Sequence, residues 1–488
     1  MRGHAPFAAV FVAGTVLRFL VLLAYQPILM LQRDTYVYLS IAEGDTAGGF
    51  RPALYPMLIR PAVALGNLTA VAVTQHLLGL AMGLLTYLVL RRLGAGRWLG
   101  AAASAVVLLD GYQLNLEQYL LTETVFQALA LGAAALLLWR ARPAVWLVAL
   151  AGVLLGLTGL TRFVGVVLIL PAVVYVVWAR LGWRRLAALL IGFAVPLGFY
   201  SSLFENRAGD AAITSRNGFF LYGRVASFAD CRDVEVPSDL RYLCFEEPPE
   251  ERGPNYGVFA LDVPINEWVS DPGANSDMLR FSRRMILAQP LDYARVVLSD
   301  LWRYAEPAAP TSQEPHAQRW TFVSSLEEAE PHPLVRGHGG SPPPESGVDQ
   351  TFRIDAPIAK GLAEVQRLAY LWGPLLAISI LLGLAGAVAG PPAGEGRSMR
   401  AVCAFFSLTA LVLLAVPVMT TVYHFRYVIA PLPFIGPAGA MGLLSLRARL
   451  SGRESGHATR NRAGPSSDAL TEAAGGRESE SGLAAPRS

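Results

Sequence analysis

Long apolar runs, each closed by arginine or by a polar segment, recur along the chain. Ten are legible: 6–25, 68–90, 98–110, 122–139, 144–160, 163–179, 186–204, 366–389, 401–419 and 428–446. A membrane span takes about 20 predominantly apolar residues. The pattern therefore predicts about ten transmembrane helices, with the third, fifth and sixth short enough to be tilted or broken. Arginine groups stand between alternate runs: Arg91, Arg92 and Arg97; Arg140 and Arg142; Arg180, Arg184 and Arg185; Arg397 and Arg400; Arg447, Arg449 and Arg453. All of them fall on one face, which the positive-inside rule makes cytoplasmic. The other face then carries 26–66, 110–121, 161–163, 205–364 and 420–427. The first run is interrupted by Arg18 and has no small-x-small cleavage site, so it reads as an uncleaved span.

This layout divides the chain into four parts. Residues 1–204 hold spans one to seven and a first outer loop at 26–66. Residues 205–364 form an extracytoplasmic region, too long to be a bare connection. Residues 365–447 hold spans eight to ten, and 448–488, rich in Ser, Gly, Arg and Glu, reads as a disordered cytoplasmic tail. Within the outer region, 276–307 shows helical apolar spacing broken at Pro290, as for two helices lying at the membrane surface.

Composition agrees with a lipid-solvated protein. Of 488 residues, 53% are apolar and 16% charged, against roughly 25% charged in an average globular domain. Mean hydropathy is +0.41. No basic stripe interleaved with aromatics suggests nucleic acid. Cys403 lies in an apolar run and reads as a packed thiol. Cys231 and Cys244 share the outer region, where either a disulfide or two separate thiols fits.

Ionisable residues on the outer face are the candidates for chemistry. In LQRDTYVYLSIAEGDTAGGFRPALYPMLIRP, Asp34 stands at the membrane boundary, where desolvation can make a carboxylate a general base. Asp34 also fits a plain helix cap, with Arg33 as a surface partner. Tyr36 and Tyr38 are placed to line a cleft, and Arg51-Pro52 and Tyr55-Pro56 mark the helix that turns back into the membrane. Glu123 lies just inside the outer end of span four, where a charge is costly and seeks a partner or cavity. Glu117, further out, reads as loop charge. Arg162 and Arg426 stand on the face that disfavours arginine, Arg426 beside Tyr423, His424 and Tyr427. They suit either an anion site or ion pairs that lock helices together. His316, His332 and His338 lie in Pro-rich sequence and read as solvated. HExxH, CxxC, Walker and Rossmann patterns are missing from the sequence. No cofactor is expected, although a divalent metal would be compatible with the fold named next.

In this order, RDTYVYLSIA, FRPALYPMLIRP, LLTETVF, GLTGLTRFVG and HFRYVIAPLP resemble the landmarks of membrane glycosyltransferases of the GT-C fold. The likeness is closest to the bacterial relatives of protein O-mannosyltransferases and aminoarabinose transferases. It covers 7–205 and 366–446. It implies an all-α, GT-C-like bundle with a helical extracytoplasmic insertion, in the plasma membrane with its active site outward. It also implies a polyprenyl-phosphate sugar donor, a glycan, lipid or protein acceptor, and inversion by a first-loop carboxylate, which maps onto Asp34. Glu123 is the second catalytic candidate. Arg33, Tyr36, Arg51, Tyr55, Arg162, His424 and Arg426 are the candidates for binding substrate. The family often has two acidic residues at the first-loop motif; here the neighbour is Arg33. The alternatives are a non-catalytic scaffold of envelope glycan assembly and a transporter. The latter would want its charges at the span centres.

Overall fold

The computed structural model describes residues 2–30, 33–44, 51–208, 217–252, 272–307, 320–325, 353–391 and 398–462. The chain is an all-α membrane protein. Its helices are α1 (Ala5–Ala24), α2 (Arg33–Glu43), α3 (Leu54–Ala64), α4 (Leu68–Arg92), α5 (Arg97–Leu108), α6 (Gly111–Gln118), α7 (Glu123–Leu138), α8 (Val145–Gly159), α9 (Ile169–Trp178) and α10 (Trp183–Ala208). They continue with α11 (Asn217–Val225), α12 (Pro272–Ala288), α13 (Pro290–Arg303), α14 (Ala356–Leu368), α15 (Gly373–Ala389), α16 (Met399–Thr420) and α17 (Leu432–Arg462). One two-stranded ribbon, β1 (Tyr25–Gln26) against β2 (Arg353–Ile354), is antiparallel, with Tyr25 opposite Ile354. It ties the end of α1 to the start of α14.

Each apolar run of the sequence contains a helix, but the spans are less uniform than the pattern predicts. Among the described residues, α1, α4, α10 and α16 are long and apolar enough to cross a membrane, and α14–α15, bent by 48°, makes a fifth candidate. The apolar helices at 97–108, 123–138, 145–159 and 163–178 are shorter. At 1.5 Å per residue they fall short of the roughly 30 Å apolar core. Span eight begins at Gly373 rather than 366. A Cβ at Gly373 would come within 2.4 Å of Glu306 O, and the turn preceding Pro374 breaks the helix there. At the other end, α17 runs on to Arg462, past the expected start of the tail at 448. An established helix propagates cheaply through Arg, Ser and Glu. Residues 463–488 lie outside the described residues.

The arginines between runs close helix ends. Arg92 Nε donates to Trp139 O at 3.2 Å, Arg400 Nε to Gly390 O at 2.7 Å and Arg449 Nη1 to Ala389 O at 2.6 Å. Carbonyls left over at helix C-termini favour such cations. Trp98, Trp139, Trp146, Trp178 and Trp183 are exposed within four residues of these arginines, as in an interfacial aromatic belt.

Glu117 is not loop charge. It is fully buried on α6, whose residues are all buried. Its carboxylate takes Arg18 Nε at 2.8 Å and Arg18 Nη2 at 2.8 Å, Gln113 Nε2 at 3.0 Å, and lies 2.9 Å from His76 Nδ1. Arg18, in mid-span on α1, therefore finds its counter-charge 99 residues on. A fork of two parallel bonds is the strong arrangement for such a pair. Removing one partner of a buried pair costs about 3–5 kcal/mol, because the other stays charged and unpaired. Glu117→Leu is thus expected to lower the unfolding temperature of the detergent-purified protein substantially. The Arg18→Leu/Glu117→Leu double variant should recover much of that loss. A double variant as unstable as the single one would mean that the pair is not what holds α6.

Candidate active site

Two carboxylates and three arginines from five chain segments meet at the end of the bundle opposite the arginine-closed turns. Asp34 lies in the first turn of α2 and Glu123 in the first turn of α7, where the helix dipole favours negative charge. Arg162 follows the C-terminus of α8, Arg51 precedes α3, and Arg426 sits in a 3-10 turn at 425–428 between α16 and α17. The Leu54 N–H donates to Leu160 O at 3.2 Å, so the start of α3 is pinned beside Arg162.

The contacts are close. Asp34 Oδ1 accepts from Arg51 Nη2 at 2.5 Å and Oδ2 from Arg426 Nη2 at 3.0 Å. Glu123 Oε1 lies 2.8 Å from Arg426 Nε and also accepts from Arg162 Nη1. The side chains are 1% (Glu123), 11% (Arg426), 13% (Arg162), 14% (Asp34) and 23% (Arg51) exposed. At this burial the ion pairs are shielded from the screening that makes surface pairs weak. Among the described residues, Glu123 Oε2 has no hydrogen-bond partner.

Electrostatics decide the protonation of Asp34. Burial works to raise its pKa, but Arg51, Arg426 and Arg162 together outweigh that and hold the carboxyl below the ordinary carboxylate range. Burial pushes the Tyr38 phenol up, with the Asp34 charge adding to the effect. His424 is pushed down to about 3, first by burial and then by the Arg426 charge, so its ring is neutral.

The other sequence candidates divide by what they touch. Tyr36 is half-buried on the helix that carries Asp34. The Tyr55 hydroxyl donates to Gln75 Oε1 at 2.9 Å, and its ring meets Tyr38 edge-on at 5.3 Å, so it braces α2, α3 and α4. His424 caps the turn, its Nδ1 accepting from Arg426 N at 3.1 Å. It positions the arginine's backbone. Arg33 belongs to α2, but its side chain lies outside the described residues, as do His316, His332 and His338. Cys231 and Cys244 are joined, 2.08 Å between sulfurs, beside the α11–α12 core. Cys403 is buried and free. Among the described residues no group of three or more His, Cys, Asp or Glu side chains could hold a metal ion.

Sequence reasoning missed the aromatic wall. The Arg426 guanidinium lies 5.4 Å from the Trp320 ring centre, and that of Arg51 lies 6.0 Å from Phe220. Trp320 is held by its carbonyl, which accepts from Asn115 Nδ2 at 2.8 Å and Gln366 Nε2 at 3.0 Å. Nothing local in the sequence marks Trp320, which lies in polar, Pro-containing sequence far from every motif.

No curated protein and no solved structure matches the chain. Residues 52–199, which carry Tyr55, Glu123 and Arg162, match the family model of the dolichyl-phosphate-mannose-protein mannosyltransferases, and so support a membrane glycosyltransferase of that kind.

Proposed function

We propose that the chain is an inverting glycosyltransferase that moves a sugar from a polyprenyl-phosphate-linked donor to an acceptor hydroxyl on the extracytoplasmic side, with Asp34 as general base. The observation that carries this reading is the buried cluster itself. Its described side chains, three arginines and two carboxylates, sum to 3 − 2 = +1. A donor phosphodiester brings one negative charge, and the departing polyprenyl phosphate gains a second as its bond to the sugar breaks. A preorganised cationic site stabilises that developing charge better than water does.

The step is a single displacement. The acceptor oxygen bonds to the anomeric carbon while the bond from that carbon to the phosphate oxygen breaks, and the bonding pair leaves with the phosphate. The acceptor proton passes to Asp34. The clamp on Asp34 then has a chemical use. Arg51 and Arg426 are placed to turn from Asp34 towards a bound phosphate, and losing their charge would make Asp34 more basic only once donor is present. Glu123, which holds Arg162 and Arg426 from the far side, positions the phosphate-binding arginines.

Two measurements test this. Supplied with labelled polyprenyl-phosphate mannose, membranes carrying Asp34→Asn should transfer sugar on the order of 10²–10⁴-fold more slowly than wild type. Unchanged transfer removes Asp34 as the base, and a wild type inactive with every donor favours the scaffold. The pH profile supplies the second. Because Asp34 is held below the carboxylate range in the free protein, wild-type kcat/KM, which reports free-enzyme ionisations, should show no Asp34-dependent acid loss above about pH 4. Arg51→Gln removes a cation that favours the ionised form, so the acid limb should move to higher pH. A limb that stays put or moves down would contradict the role given to Arg51.

A further inference from the structure

Four large apolar side chains stand out on α12 and α13: Leu287, Leu291, Leu298 and Trp302, exposed by 81, 79, 64 and 67%. Within α13, Leu291, Leu298 and Trp302 are spaced by 7 and 4 residues and share one helical face, and Leu287 is exposed in the last turn of α12 just before the break at Pro290. The opposite face of α13 is fully used. Val297 and Asp300 are buried, and Asp300 Oδ2 accepts from Arg224 Nη1 at 2.5 Å. The Tyr293 hydroxyl donates to Met419 O at 2.9 Å, in the last turn of α16. Just beyond α13, Pro307 O accepts from Trp372 Nε1 at 2.9 Å, one residue before α15. The helix thus lies across the outer ends of two spans.

What covers the apolar stripe follows from its neighbours. Trp372 is itself 42% exposed, and from it Leu375, Ile378 and Leu381 continue an exposed apolar face down α15. The segment that ends at Pro307, four residues past α13, is thus joined to the start of the exposed apolar face of α15. Arg283, Arg284 and Arg295 are exposed along the same two helices, Arg295 by 80%. An apolar stripe bordered by arginines is the pattern of a helix lying in the headgroup region. Left in water, the stripe would forgo the burial that large apolar side chains gain on entering lipid.

We propose that α13, with the last turn of α12, docks on the outer leaflet of the bilayer, its leucines and Trp302 entering the acyl boundary and its arginines meeting lipid phosphates. The inner side of the same helix holds the loop that carries Arg426. The Arg303 guanidinium lies 3.8 Å from the Tyr423 ring centre, and the Tyr304 hydroxyl donates to His424 O at 3.2 Å. Seating α13 in the leaflet therefore sets the height of that loop relative to the membrane.

The full chain is prepared with Leu291→Cys or Leu298→Cys, labelled with bimane and reconstituted into vesicles of phosphatidylcholine and phosphatidylglycerol. Acyl-brominated lipid should quench both labels several-fold more strongly than aqueous iodide does. Strong iodide quenching with no effect of brominated lipid would overturn the proposal, because the stripe would then face water. Protection from both quenchers would overturn it in favour of a protein partner or a second copy. No sugar transfer enters the readout, so this surface and the proposed activity fail separately.

Discussion

Arg426 stands between two buried carboxylates, its Nη2 3.0 Å from Asp34 and its Nε 2.8 Å from Glu123. Asp34 also has Arg51 and Glu123 also has Arg162, but Arg426 is the cation that the two acids share, and such partners offset the several kcal/mol that taking an ion out of water costs even after relaxation. The same guanidinium spans 392 residues of sequence, from the first outer loop to the last. It draws Arg51 and Arg162 in behind the acids, and with them the ends of α2, α3, α7 and α8. Charge matching, rather than apolar packing, therefore fixes this end of the bundle. In lipid this is the expected order of importance, because apolar surfaces gain little from meeting each other.

A second buried polar system lies beneath and joins the first. From Arg18 it passes to Glu117, to Gln113, and by a pair of amide bonds to Gln127, whose Nε2 donates to Ile429 O at 2.6 Å. Gln127 is one turn along α7 from Glu123, and Ile429 is three residues beyond Arg426. The position of Glu123 and Arg426 is thus referred to a mid-span arginine on α1. Every member shown here has a partner, which is the condition under which a buried network rigidifies rather than destabilises.

The helices were legible because span length and arginine placement both follow from the bilayer, a constraint that acts locally on sequence. Asp34, Glu123, Arg162 and Arg426 were legible for a related reason: a charge at the edge of an apolar run is anomalous by itself. What could not be read was pairing at a distance. Glu117 looked like loop charge because nothing near it reveals Arg18, although Arg18 in mid-span called for an acid somewhere. His424, a candidate for binding, also caps the turn through Nδ1, a role set by backbone geometry that periodicity does not contain. The apolar run of span eight is split between α14 and α15 at the turn preceding Pro374, a break that hydropathy does not register.

A carboxylate gripped by two arginines is stable and a weak base, whereas a general base should hold its proton near the working pH. A fixed cluster satisfies the first demand at the expense of the second. On the proposed reading an exchangeable one satisfies both: an arriving phosphate would compete for Arg51 and Arg426, take over part of the charge matching, and leave Asp34 in a less cationic, still desolvated site. The pKa of Asp34 then becomes a property of the donor complex rather than of the empty protein.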